Sequence, residues 1–252
     1  MFKKILASVG IGNAKVDTQL ESKELVPGGP VRGKVIVQGG KAPQHVEKVQ
    51  LFLMTEVTQE KDGRKYYEDM VLDFFVLGNS FTIQEGEWKE MDFHFTLPLH
   101  TPPTIGRTKV WIQTGMDVPN AIDPTDRDFI NISPHPYMDT VLQSLTNELG
   151  FGLKQVDMEY SRRYRYVQEF EFLPSGDFRR DLDELEAMFS IKQDGVELLL
   201  QIDRRAKGLG GLFAEALDID EKFVNVEFTS KEIEQGSSYI AEKLRQIIAE
   251  HS

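Results

Sequence analysis

The residues best suited to chemistry are five histidines, two acidic runs, a glycine-rich loop and an arginine–tyrosine cluster. His45, His94, His100, His135 and His251 make no H-x-H, H-x-x-x-H or H-E-x-x-H spacing. A zinc site would therefore need ligands converging from distant loops. His94 falls on the polar side of an alternating stretch and reads as a solvated residue. The run Asp123-Pro124-Thr125-Asp126-Arg127-Asp128 and the run Asp218-Ile219-Asp220-Glu221 each hold three carboxylates. Hard cations want several converging oxygens, so these are the better cation candidates. Neither has the EF-hand pattern or its central glycine, and aspartates in loops also cap turns through their own side chains.

Gly208-Leu209-Gly210-Gly211 has the flavour of a phosphate loop but lacks its fingerprint. Phe213 stands where a dinucleotide motif needs its third glycine, and no Gly-Lys-Ser/Thr follows. A tight turn is the plainer role. There is no Gly-x-Ser-x-Gly elbow, no cysteine nucleophile and no carboxylate pair singled out for acid–base work. The expectation is a protein that is not an enzyme and carries no cofactor. Ser161-Arg162-Arg163-Tyr164-Arg165-Tyr166 is basic and aromatic in an acidic stretch. Arginine forks beside tyrosines can grip phosphates or acidic peptides, so Arg162, Arg163 and Arg165 are candidate partner contacts. The competing reading pairs Arg163 and Arg165 with cross-strand acids, and points Arg162 inward toward a carboxylate.

What must position these groups is read from periodicity. Apolar residues alternate with polar ones in Val31/Gly33/Val35/Val37, Phe93/Phe95/Leu97, Val156/Met158/Tyr160 and Val196/Leu198/Leu200/Ile202. That spacing describes strands with one buried and one wet face. Strands are predicted near residues 15–21, 31–38, 48–58, 69–77, 91–97, 108–116 and 129–132. A long run at 154–172 follows, then 182–192, 196–204 and 223–229. Only Arg162 and Gln168 break the alternation of the long run, as a bulge or change of sheet does. Gln193-Asp194-Gly195 is a hairpin turn.

Two amphipathic helices complete the pattern. Met138, Val141, Leu142, Leu145 and Leu149 form one stripe, stopped by Gly150 or Gly152. Ile240, Leu244, Ile247 and Ile248 form another, with Ser237 or Ser238 as its N-cap. The closing helix either folds back on its own lobe or pairs with another subunit. Ile240, Leu244 and Ile247 are therefore also candidate contacts, and a homo-oligomer is one outcome. The prediction is a mainly β protein of two β-sandwich lobes joined by a short helix. The lobes span 1–134 and 153–252, the connector 135–152 and the closing helix 237–251.

The chain has 252 residues and a net charge of −12. Before residue 137 there are 15 Lys+Arg against 18 Asp+Glu, and afterwards 14 against 23. Such acidity repels nucleic-acid phosphate and anionic membrane, so neither is an expected partner. The start, Phe2-Lys3-Lys4-Ile5-Leu6-Ala7, is too short for a secretory signal or stable membrane insertion. Together with the absence of cysteine this points to the cytoplasm.

Leu25-Val26-Pro27-Gly28-Gly29-Pro30-Val31-Arg32-Gly33-Lys34-Val35 resembles the opening of an arrestin fold, and Phe95-Thr96-Leu97-Pro98 through Thr108–Thr114 resembles its later strands. More specifically, the chain resembles the bacterial sporulation-control protein M family. That resemblance rests on Phe2 through Gly12, Trp111-Ile112-Gln113-Thr114-Gly115-Met116-Asp117, Leu182-Asp183-Glu184-Leu185-Glu186 and Asp203 through Gly211. It implies two arrestin-like lobes and a cytoplasmic regulator acting as a scaffold or adaptor through other proteins. The alternative from the residues is a cation- or small-ligand-dependent sensor using the acidic loops.

Overall fold

The computed structural model describes residues 13–61, 64–119, 124–161, 164–204 and 221–252. The chain divides into two compact units. The first holds Met1–Glu56, Glu68–Thr104 and Lys109–Ser133, and the second holds Val57–Tyr67, Ile105–Thr108 and Pro134–Ser252.

Ten strands come first in the chain: β1 (Lys15–Leu20), β2 (Glu24–Leu25), β3 (Pro30–Gln38), β4 (Gln44–Val46), β5 (Lys48–Lys61), β6 (Arg64–Leu77), β7 (Phe81–Ile83), β8 (Trp88–Thr96), β9 (Val110–Asp117) and β10 (Thr125–Ile132). In the first unit β1, β3 and β8 make an antiparallel sheet. A second sheet runs β5-β9-β10-β2, with β6 on the other side of β5. Alternation decides what each sheet buries. Val31, Val35, Val37 and Phe93 from the first sheet meet Val49, Leu51, Leu53, Val110, Ile112 and Ile130 from the second in one core. The two sheets of this unit therefore face each other across one core. The Pro-Gly turn joins it at one end: Gly28, at φ 81°, donates its N–H to Leu97 O, and Leu97 N–H donates to Gly29 O. Strands β2, β4 and β7 are not legible in the sequence, because two or three residues show no period.

The second unit contains β11 (Gly152–Ser161), β12 (Arg165–Leu173), β13 (Leu182–Lys192), β14 (Gly195–Arg204) and β15 (Glu221–Thr229). They form an antiparallel meander in sequence order. Helix α1 (Pro136–Gln143) runs on into a π-helical turn, Ser144–Glu148. Two more helices close the chain, α2 (Ser230–Ile233) and α3 (Ser237–His251).

The alternation predicts a second sandwich here, and the structure corrects it. Among the described residues the five-stranded meander of this unit is extended at β11 by the Val57–Lys61 end of β5, through Glu159↔Thr58, and helices form its second layer. Met138, Val141, Leu142, Leu145 and Leu149 pack with Ile240, Leu244 and Ile248 onto Phe170, Phe172, Leu185, Val196, Leu198 and Leu200. The two helical stripes are the missing half of the core. Gly150, at φ 75°, ends the first helix in the left-handed conformation as predicted.

The long run 154–172 is also not one strand. It is the hairpin β11–β12, closed by the pair Ser161↔Arg165, with Arg165 at φ 67°. The break at Arg162 marks a reversal of the chain rather than a bulge. Nor does a serine cap α3: its N-cap is Gly236. Ser237 and Ser238 donate instead to Glu148 Oε1, at 2.9 and 3.2 Å.

Candidate functional site

Those residues singled out from sequence that are described do not converge. Arg165 is exposed beside the β11–β12 tip, and Arg162 and Arg163 lie outside the described residues. Ile240 and Leu244 are 0% exposed in the core of the second unit, and Ile247 is half-buried against it. A partner cannot reach the first two, so folding back on the lobe replaces the intermolecular role suggested for them. The glycine loop 208–211, the N-terminal segment 2–7 and the first acids of the second acidic run lie outside the described residues.

From Thr125 on, the first acidic run forms the start of strand β10, and Asp123 lies outside the described residues. Asp126 Oδ2 accepts the Thr18 N–H at 2.8 Å, and Asp128 Oδ1 pairs with Lys23 Nζ at 2.8 Å. The hydrogen-bonded ion pair with Asp128 also raises the Lys23 pKa. Arg127 lies over the Trp111 ring, 4.5 Å from its centroid, and reaches Asp69 Oδ2 at 2.8 Å. The Trp111 Nε1 donor is buried without an acceptor, a cost that the stacked arginine only partly offsets. These side chains brace strands against each other. Among the described residues no three His, Cys, Asp or Glu side chains are placed to hold a metal ion. His135 acts locally. Its Nδ1 accepts the Tyr137 N–H at 3.2 Å and caps α1, and burial pushes its pKa down. That cap needs an unprotonated Nδ1.

Two surfaces remain. In the first unit β6 pairs with β5 alone among the described strands, so its outer edge has no ladder partner among them. Leu72, Phe75 and Leu77 turn toward the core, and Phe75 stacks on Phe95 with centroids 3.8 Å apart. Phe74 and Val76 face out at 55% and 54% exposure. Phe52 on β5 continues the patch, its ring 6.4 Å from that of Phe74. The alternation slips by one residue at Asp73–Phe74, where Asp73 Oδ1 accepts the Phe74 N–H at 2.8 Å. The adjacent pair Phe74-Phe75 is the sequence signal for this exposed aromatic, because two neighbouring ring residues cannot both face inward on a regular strand.

In the second unit the sheet face opposite the helices is acidic. Gln155, Asp157 and Glu159 on β11, Glu169 and Glu171 on β12, and Glu184 and Glu186 on β13 share it, all half-buried. Asp157 stands opposite Glu169, and Glu171 opposite Glu186. Lys154 Nζ bridges Glu184 at 2.7 Å and Glu171 at 3.1 Å, and Arg107 Nε meets Asp157 at 3.1 Å. Those two hydrogen-bonded carboxylates hold the Lys154 ammonium well above its ordinary pKa. Glu186 goes the other way for an acid. Burial first, then a hydrogen bond to Glu169 and the charges of Glu169, Glu184 and Glu171, push it up to about 8. Glu159 is also raised, by burial and then by Glu169, with Lys65 pulling against the shift. The alternation puts these acids on a wet face; how they stack across strands needs the register.

Comparison with known proteins fits this architecture. The Spo0M (SpoOM protein) family model matches residues 2–206. The sporulation-control protein Spo0M of Bacillus subtilis strain 168 is 41% identical over 256 aligned residues, covering all of this chain and 98% of the relative. The crystal structure of Spo0M from Bacillus subtilis superposes with a TM-score of 0.85 at 40% identity, over 96% of this chain and all of that one. The chain belongs to the Spo0M sporulation-control family.

Proposed function

We propose that this family member is a non-enzymatic regulator of sporulation that works as a scaffold or adaptor, by contact with other proteins. The observation carrying this reading is strand β6: an edge with no ladder partner among the described strands and an outward Phe74, Val76 and Phe52. An extended partner segment added to such an edge gains main-chain hydrogen bonds for affinity and side-chain contacts on alternate residues for specificity. Large exposed aromatics are what anchor such contacts. The polar side chains described above are engaged in caps and ion pairs, which agrees with a contact role better than with catalysis. The sporulation role rests on the relative of that name at 41% identity. We read the first unit as arrestin-like, from its two facing sheets and the Pro-Gly turn bonded to Leu97. A cytoplasmic setting fits the lack, among the described residues, of any helix long and apolar enough to cross a membrane.

The test is quantitative affinity capture from cells entering starvation, with wild type and a Phe74→Thr, Val76→Thr double variant. Threonine keeps β propensity while removing the apolar anchors. Proteins retained by wild type and lost by the variant support the edge-strand adaptor. An identical set from both would reject β6 as the contact. Capture of the chain's own second copy alone would replace the adaptor with a self-associating protein.

A further inference from the structure

We infer that His135 is a pH-sensitive cap: it holds the start of α1 closed only while its imidazole is uncharged, so that mild acid loosens the helical layer of the second unit. The helix opens with Pro136, Tyr137, Met138 and Asp139. Pro136 has no N–H, and the Asp139 N–H already donates to His135 O at 2.9 Å. The Tyr137 N–H is therefore the first donor of the helix that lies beyond reach of a helical carbonyl. His135 Nδ1 accepts it at 3.2 Å. The ring is held in place for that bond. It is half-buried, and the Tyr137 ring meets it edge-on with centroids 4.7 Å apart. Tyr137 packs in turn against the core of the unit, and Met138 beside it lies inside that core.

Ser, Thr, Asp and Asn are the usual N-caps, and none of them changes charge near neutrality. Histidine does. An imidazolium carries a proton on both ring nitrogens, so Nδ1 turns from acceptor to donor and the Tyr137 N–H loses its partner. The new charge also stands at the positive end of the helix dipole. Both effects oppose protonation in the folded protein, and burial adds a third in the same direction.

The charged groups around α1 are engaged or turned away, and none of them contributes to the shift at His135. On the helix itself Asp139 Oδ2 accepts from Gln143 Nε2 at 2.7 Å, and Glu148, on the π-helical turn, accepts from Ser237 and Ser238. Glu232 of α2 is paired with Lys243 of α3, and Arg245 of α3 with Asp177. Lys231, Glu234, Glu242 and Glu250 are exposed, and His251 Nδ1 is bonded to Ile247 O. On β13 and β14 the side chains facing the helices are Leu185, Ala187, Val196, Leu198, Leu200 and Ile202. Alternation therefore puts Glu184, Glu186, Glu197 and Asp203 on the opposite face.

The sign follows from linkage. A histidine whose folded pKa lies below its unfolded value binds fewer protons in the folded state. Its stabilising contribution is complete above the ordinary value of 6.5 and is lost as pH falls below it.

The experiment is urea unfolding of the full chain between about pH 7.5 and 5.5 for wild type, His135→Asn and His135→Ala, with NMR titration of the wild-type histidines. Groups elsewhere titrate in all three proteins, so the differences between them isolate position 135. Asparagine keeps an acceptor at every pH. Relative to wild type, His135→Asn should gain on the order of fivefold in the folding equilibrium constant as pH falls through the window, the worth of one N-cap. His135→Ala has no cap at any pH. It should be less stable than wild type by on the order of fivefold at pH 7.5, and that difference should close by pH 5.5. The His135 ring should titrate below 6.5, and the Tyr137 amide resonance should move with the same midpoint. Three parallel stability curves, or a His135 ring titrating at or above 6.5, would overturn the inference. The wild-type titration decides the matter even where a variant fails to fold.

Discussion

The two units bury an apolar sheet face in different ways, and their charges differ accordingly. In the first unit one sheet closes against another, and the outward charges meet one to one: Lys34 with Glu90, Lys109 with Glu56, Arg127 with Asp69. In the second unit helices cover one face of a single sheet, and the other face stacks carboxylates across β11, β12 and β13. Asp157, Glu159, Glu169, Glu171, Glu184 and Glu186 from the acidic second half share that face. The same alternation thus builds a braced contact scaffold in one unit and a strained electrostatic surface in the other.

The sharpest way to break the comparison is through the helical layer. Leu244→Ala should cost roughly 2–5 kcal/mol, because Leu244 is 0% exposed in the core that replaces a second sheet. Phe74→Ala on the exposed edge of the first unit should change stability by less than about 1 kcal/mol. Chemical denaturation of both variants checks the contrast; equal losses would mean that α3 is not a structural layer. A smaller effect is expected at the start of α2. There Thr229 Oγ1 accepts the Glu232 N–H and Glu232 reaches back to the Thr229 N–H, while Lys243 and these Thr229 bonds hold the Glu232 pKa at about 2. Thr229→Ala should cost about 1 kcal/mol by the same measurement.

The smallest effects compare two lysines. Lys34→Ala removes a lone exposed pair with Glu90 and should cost about 0–1 kcal/mol. Lys154→Ala leaves Glu171 and Glu184 facing Glu186 without their shared cation. Its melting temperature should fall further than that of Lys34→Ala, and added salt should recover part of the difference by screening the repulsion. A Lys154 variant as insensitive to salt as the Lys34 variant would contradict the picture of a strained acidic face.

Most of the strands and both long helices are legible in the sequence, because the residues on each buried face repeat at fixed spacing. The stripe at Met138–Leu149 and its Gly150 stop are where the spacing puts them. What lies beyond reach is pairing. Nothing in the stripe Ile240, Leu244, Ile248 says whether it faces its own sheet or a second chain, and only the assembled core decides it. The reversal between Ser161 and Arg165 is hidden because the apolar residues on both arms keep the same period through the turn. Glu171 stands opposite Glu186 on strands whose register no local pattern encodes. The β6 patch is half-legible in Phe74-Phe75, but which of the two rings faces outward depends on the slip at Asp73.

The central claim, that this family member acts by contact through its edge strand, is tested most directly in cells. Spore yield and timing would be measured for the source organism carrying wild type, a gene deletion or the Phe74→Thr, Val76→Thr variant, with equal levels of folded protein in wild type and variant. The account predicts that the double variant sporulates like the deletion. Sporulation indistinguishable from wild type in the double variant, against a changed deletion, would contradict it.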